Sequence, residues 1–64
     1  LSNEAINYLN ILLDKDPNYK EVNYYLGLAN QNINKNKSLE YFKTAARLGD
    51  SDAKEYLNEK KIKW

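Results

Sequence analysis

VNYYLGLANQNINKNKSLEYFKTAARL, residues 22–48, decides the fold. It reads as two helices joined by a polar turn at Asn34-Lys35-Asn36-Lys37, with a small-residue notch at Gly27 in the first helix and at Ala45-Ala46 in the second. Val22, Tyr25, Leu26, Ala29 and Ile33 fall at steps of three and four, which stacks side chains on one face of a 3.6-residue period and predicts the core face. Tyr24, Leu28 and Gln31 share that spacing on the opposite side, so they are expected to be available to a partner. In the second helix Leu39, Phe42 and Ala46 make one stripe and Tyr41, Ala45 and Leu48 an adjoining one. An ordinary surface helix needs an apolar stripe of about 100°. This wider one predicts a helix covered from two directions.

Working outward to the N-terminus, Asp16-Pro17-Asn18 closes an earlier helix, because proline cannot donate to the ladder and disfavours helical geometry in the residue before it. That helix is expected from Asn3 or Glu4 to about Asp14, capped by Ser2 or Asn3. Ala5, Leu9, Leu12 and Leu13 form its main stripe. Tyr8 and Ile11 lie on a separate flank that nothing downstream claims, and with Leu1 they form the expected self-association seam, covered by upstream repeats or by a second copy.

Toward the C-terminus, Gly49 stands where a left-handed C-cap is wanted, and Asp50 or Ser51 is positioned to cap a fourth helix. Ala53, Leu57 and Trp64 give that helix a narrow stripe, with Tyr56 beside it and Ile62 isolated on the far side among Glu55, Glu59 and Lys63. The expected organisation is a half repeat over 1–18, a full repeat over 19–50 and a capping helix over 51–64.

Sixty-four residues make one small domain, and without cysteine neither a disulfide nor a thiolate metal site supports it. The net charge of +1 gives no global field toward nucleic acid or an anionic membrane. The charge is uneven, however: the first 34 residues set Glu4, Asp14, Asp16 and Glu21 against Lys15 and Lys20, while Lys54, Lys60, Lys61 and Lys63 dominate the end. No apolar run in these 64 residues approaches the ~20 residues of a membrane span, and none resembles the apolar region of a signal peptide. Opening at Leu1 without methionine predicts that material precedes this stretch.

A shift of 33 residues lays Ala5-Ile6-Asn7-Tyr8-Leu9 over Ser38-Leu39-Glu40-Tyr41-Phe42, and a shift of 31 lays Val22, Tyr25 and Leu26 over Ala53, Tyr56 and Leu57. Periods of this length signal stacked helical repeats. Leu26-Gly27 followed by Ala29, together with Ala5-x-x-Tyr8-Leu9-x-x-Leu12 and Asp16-Pro17, resembles the tetratricopeptide repeat family. The run from Ser38 to Asp50, with Ala53 and Leu57, is similar to the related Sel-like repeat. The chain departs from the family pattern at Asn23, Asn30 and Asn58, where an aromatic, a tyrosine and a glycine are usual. The resemblance implies an all-α, short right-handed solenoid of about four antiparallel helices. It also implies a protein or peptide partner on the concave face, formed here by Glu21, Tyr24, Leu28, Gln31, Glu55 and Glu59.

Catalysis finds little support. The chain has no histidine or cysteine, so the commonest acid-base group and thiol nucleophile are missing. The paired carboxylates Asp14/Asp16 and Asp50/Asp52 flank helix ends, where acidic residues cap or solvate. No metal site or cofactor is expected, since Asp14-x-Asp16 matches only the opening of a calcium loop and no phosphate-cradling glycine loop exists. Tyr8, Tyr25, Tyr41 and Tyr56 recur at repeat-related positions and are expected to pack, whereas Tyr24 belongs to the partner face. The Lys60-Lys61-x-Lys63-Trp64 tail is read as a solubilising end with Trp64 folded beside Leu57, not as a nucleic-acid contact. The expected function is a non-catalytic interaction module for a basic or mixed peptide. The alternative is an architectural end or dimerisation piece of a longer array.

Overall fold

Four helices form in the order α1 (Asn3–Lys15), α2 (Lys20–Asn30), α3 (Lys35–Arg47) and α4 (Ser51–Glu59), in a computed structural model that describes residues 1–64. Connections of three or four residues reverse the chain each time, so neighbours run antiparallel and each helix packs on the next. The protein is all-α, with the packing order of a small helical-repeat bundle.

Short polar side chains set the helix starts. Ser2 accepts from the Ala5 N–H at 3.1 Å, Asn34 from Lys37 at 3.1 Å and Asp50 from Ala53 at 2.8 Å. Helix α2 begins differently, because Tyr19 offers no side-chain cap. Asn23, buried to 3% exposure, reaches back instead, and its Nδ2 donates to the carbonyls of Pro17 at 3.2 Å and Tyr19 at 2.9 Å. An aromatic side chain at that position could not make these bonds, so the departure from the repeat pattern has a physical reason.

The centre of the core is the fully buried Phe42 ring, seated in the notch of α2. A methyl group added at Gly27 would lie 2.7 Å from two carbons of that ring. Close approach also lets the Ser38 hydroxyl donate to the Gly27 carbonyl at 2.6 Å. Ala45, Ala46, Ala53 and Leu57 complete the α3–α4 side, while Val22 and Leu26 are buried on α2. Helix α3 is thus covered from two directions, as its double stripe requires.

The face expected of α2 is corrected. Val22 and Leu26 are buried, but Tyr25 is 47% exposed and Ile33 is 72% exposed. The helix stops at Asn30, so Ile33 lies in the turn, and the boundary with α3 falls at residues 31–34 rather than 34–37. Packing on α1 and on α3 through Gly27 centres burial on Val22, Asn23, Leu26 and Gly27. Glu21 and Tyr25 are left as the exposed ridge, and Tyr24 and Leu28 sit half-buried against the core. The expectation that Tyr8 and Tyr25 pack fails with it, since both are exposed, while Tyr41 and Tyr56 are half-buried.

The C-terminus is corrected too. Helix α4 ends at Glu59, and Lys61 takes a left-handed φ of 58°. The Lys61 N–H donates to the Asn58 carbonyl at 3.1 Å and that of Ile62 to the Leu57 carbonyl at 2.9 Å, which is a Schellman closure. Helix α3 ends identically, with Gly49 at φ 100° donating to Ala46 and Asp50 donating to Ala45. The reversal swings Ile62 onto the core and leaves Trp64 exposed. The Trp64 indole donates instead to Asn58 at 3.2 Å, with the Lys54 ammonium 5.7 Å from the ring centre.

The notch makes a direct prediction. Gly27→Ala gains about 1 kcal/mol of helix propensity, but overpacking against Phe42 costs about 1–3 kcal/mol. Urea denaturation should show a net loss of stability, and a variant as stable as the parent would refute the close contact.

Candidate interaction surface

Phe42, on α3, is flanked by a tyrosine from α2 and another from α4. The Tyr24 ring centre lies 5.7 Å from that of Phe42, and the Tyr56 ring lies 4.4 Å from it on the α4 side. Both pairs are tilted; the first lies within the 4.5–7 Å range typical of favourable aromatic contacts and the second just below it. Tyr25 continues the series edge-on to Tyr24 at 5.7 Å. Leu28 packs on the same cluster, one turn along α2 from Tyr24.

The surroundings of Tyr24 are acidic. Its phenol is held above the ordinary value of 10.0, first by partial burial and then by the negative charges of Asp52, Asp50 and Glu55. Asp50 is committed to the α4 cap, but Asp52 and Glu55 are exposed. Glu21 and Glu59 are exposed as well, on α2 and at the end of α4. None of these is ion-paired, since the one salt bridge joins Lys43 to Glu40 at 3.8 Å. Of the six residues expected on this face, the core unites Tyr24 and Leu28, and the negative field links Tyr24 to Glu55.

Gln31 belongs to a different feature. It lines a half-open cleft of about 410 Å³ between the end of α2, the start of α3 and the end of α4. Ser38, Tyr56, Lys35 and Lys60 also line it, over an apolar floor that includes Leu39 and Ile62. The Lys60 ammonium rests 5.7 Å from the Tyr56 ring centre. Sequence reasoning missed this cleft because it treated residues 60–64 as more of α4. The detectable signal was the apolar pair Leu57 and Ile62, five residues apart around polar ones, which is the C3–C″ contact of a Schellman turn.

The expected seam on α1 is exposed. Leu1 is 68%, Tyr8 61% and Ile11 53% accessible, and no residue of α1 is fully buried. Of the four carboxylates considered for chemistry, Asp16 accepts from the Asn18 N–H at 3.0 Å and Asp50 caps α4, while Asp14 and Asp52 are exposed. No cluster of three or more metal-ligating side chains is formed, and no helix is long and apolar enough to cross a membrane. Comparison with known protein families, curated proteins and solved structures finds no match in any of the three.

The acidic setting of Tyr24 has a pH consequence. Its folded-state pKa is raised, so its contribution to stability is complete below pH 10 and is lost as pH rises from there through the folded value. Tyr24→Phe should remove one late-developing component of phenolate absorbance above pH 10 and flatten the alkaline loss of stability. Unchanged titration and unchanged alkaline unfolding would show that Tyr24 is not in this environment.

Proposed function

We propose that the chain is a non-catalytic protein-interaction module of tetratricopeptide type, which holds a basic amphipathic peptide or partner helix against the face where α2 meets α4. The supporting observation is Tyr24 with Leu28, half-buried on the Phe42 core and bordered by Asp52 and Glu55, which have no basic partner. Tyrosine concentrates binding energy because its large, rigid surface is cheap to order and its hydroxyl tolerates water. The outer carboxylates Glu21 and Glu59 add attraction for a basic ligand and raise its encounter rate more than its final affinity. The seating of Tyr24 on Phe42 fixes the ring before a ligand arrives, which lowers the entropic cost of binding.

The non-catalytic character draws on the same residues. The chain has no histidine or cysteine, and Asp16 and Asp50 are engaged by backbone N–H groups, which supports a reading without catalysis.

A second reading is favoured by α1. Leu1, Tyr8 and Ile11 are each exposed, which supports an architectural piece that pairs with a second copy or with further helices.

Titration of the isotope-labelled chain with a short Lys/Leu amphipathic peptide tests the first reading. Amide shifts should cluster at Tyr24, Leu28 and Glu55, and Tyr24→Ala should weaken binding by about 2 kcal/mol, the scale of a hot spot. Identical titration of Tyr24→Ala and wild type would remove the groove. For the second reading, sedimentation velocity over a concentration series should show self-association that Tyr8→Lys and Ile11→Lys abolish. A wild-type chain that stays monomeric throughout would sink self-pairing.

A further inference from the structure

We propose that the cleft between the end of α2, the start of α3 and the C-terminal tail is a second docking site, which takes an acidic peptide segment. Its side-chain carboxylates meet Lys35 and Lys60, and an adjacent aliphatic side chain rests on Leu39 and Ile62. This site is separate from the acidic face around Tyr24 and carries the opposite charge, so its failure would leave that reading untouched.

Charge complementarity selects the occupant. Two lysines line the cleft and no carboxylate does. Neither lysine is ion-paired, because the one salt bridge lies elsewhere on α3. Lys60 is held near the cleft wall over the Tyr56 ring, so part of its stem is already ordered before a ligand binds. Gln31 and Asn32 make no side-chain hydrogen bond within the chain and supply amide groups for a peptide backbone. The Ser38 hydroxyl, by contrast, is occupied by the Gly27 carbonyl and adds no free donor.

The floor and size decide between kinds of anion. Leu39 and Ile62 offer an apolar surface that a phosphate chain cannot use, whereas an aliphatic side chain beside a carboxylate covers it. About 410 Å³ lies within the 300–1,000 Å³ of ordinary small-ligand sites, enough for a short stretch of peptide. The wall at Ile62 exists because the left-handed turn at Lys61 folds the tail back.

The probe is the blocked peptide acetyl-Leu-Glu-Leu-Asp-amide, titrated into the isotope-labelled 64-residue chain and followed by amide shifts. Its isostere acetyl-Leu-Gln-Leu-Asn-amide and sodium acetate serve as comparisons. The acidic peptide should move the amides of Gln31, Asn32, Lys35 and Ile62, with the isostere much weaker and acetate without the same pattern. Lys35→Gln and Lys60→Gln, both exposed positions, should each weaken binding roughly two- to fivefold, as removal of a partly screened ion pair does. Added salt should weaken it further. The proposal is overturned if the acidic peptide moves nothing, if the isostere binds equally well, or if acetate reproduces the pattern as a bare anion. Shifts as large around Lys54 and Lys63 would overturn it as well, by showing diffuse attraction to the basic tail.

Discussion

A phenylalanine ring lying on a glycine holds this protein together. Phe42 is fully buried, and burial of such a side chain is worth about 1.5–3 kcal/mol, a large share for a 64-residue domain. The contact depends on the missing side chain at Gly27 and draws the Ser38 hydroxyl onto the carbonyl of the same residue. Once α2 and α3 are locked at that distance, Tyr24 and Tyr56 settle against the ring from α2 and α4, and the alanines at 45, 46 and 53 fill what remains. Close packing makes these placements interdependent.

The surface that results is polarised. Around Tyr24 the start of α4 contributes Asp50, Asp52 and Glu55, while Lys35 and Lys60 stand at the cleft beyond Gln31. A net charge of +1 therefore conceals two local fields of opposite sign. Binding properties follow from such local fields acting at short range, because salt screens charges more than about a Debye length apart.

Much of this was legible in the sequence. Four helices, the caps at Ser2 and Asp50, the left-handed Gly49 and the Gly27 notch all follow from local chemistry that tertiary packing leaves intact. The exposure of Ile11 was equally readable, since it requires only the period of one helix. What escaped depended on neighbours. The buried arc of α2 is set by contact with both α1 and α3, which turned Tyr25 outward and seated Tyr24. Asn23 looked like a defect in the pattern and proved to be a backbone tether. Lys61 carries no mark of a left-handed residue, so the place where α4 stops, and with it the position of Ile62, could not be read from periodicity.

The turn at Lys61 differs from its twin at Gly49 in one respect that matters. Glycine enters the left-handed region freely, whereas lysine does so against a steric penalty of about 1–2 kcal/mol, offset here by two backbone hydrogen bonds and the burial of Ile62. The closed and released forms of the tail consequently lie nearer in free energy than they would with glycine at this position. By thermodynamic reciprocity, any molecule that touches Ile62 in its seated position must favour the closed tail by the same factor that closure favours its binding.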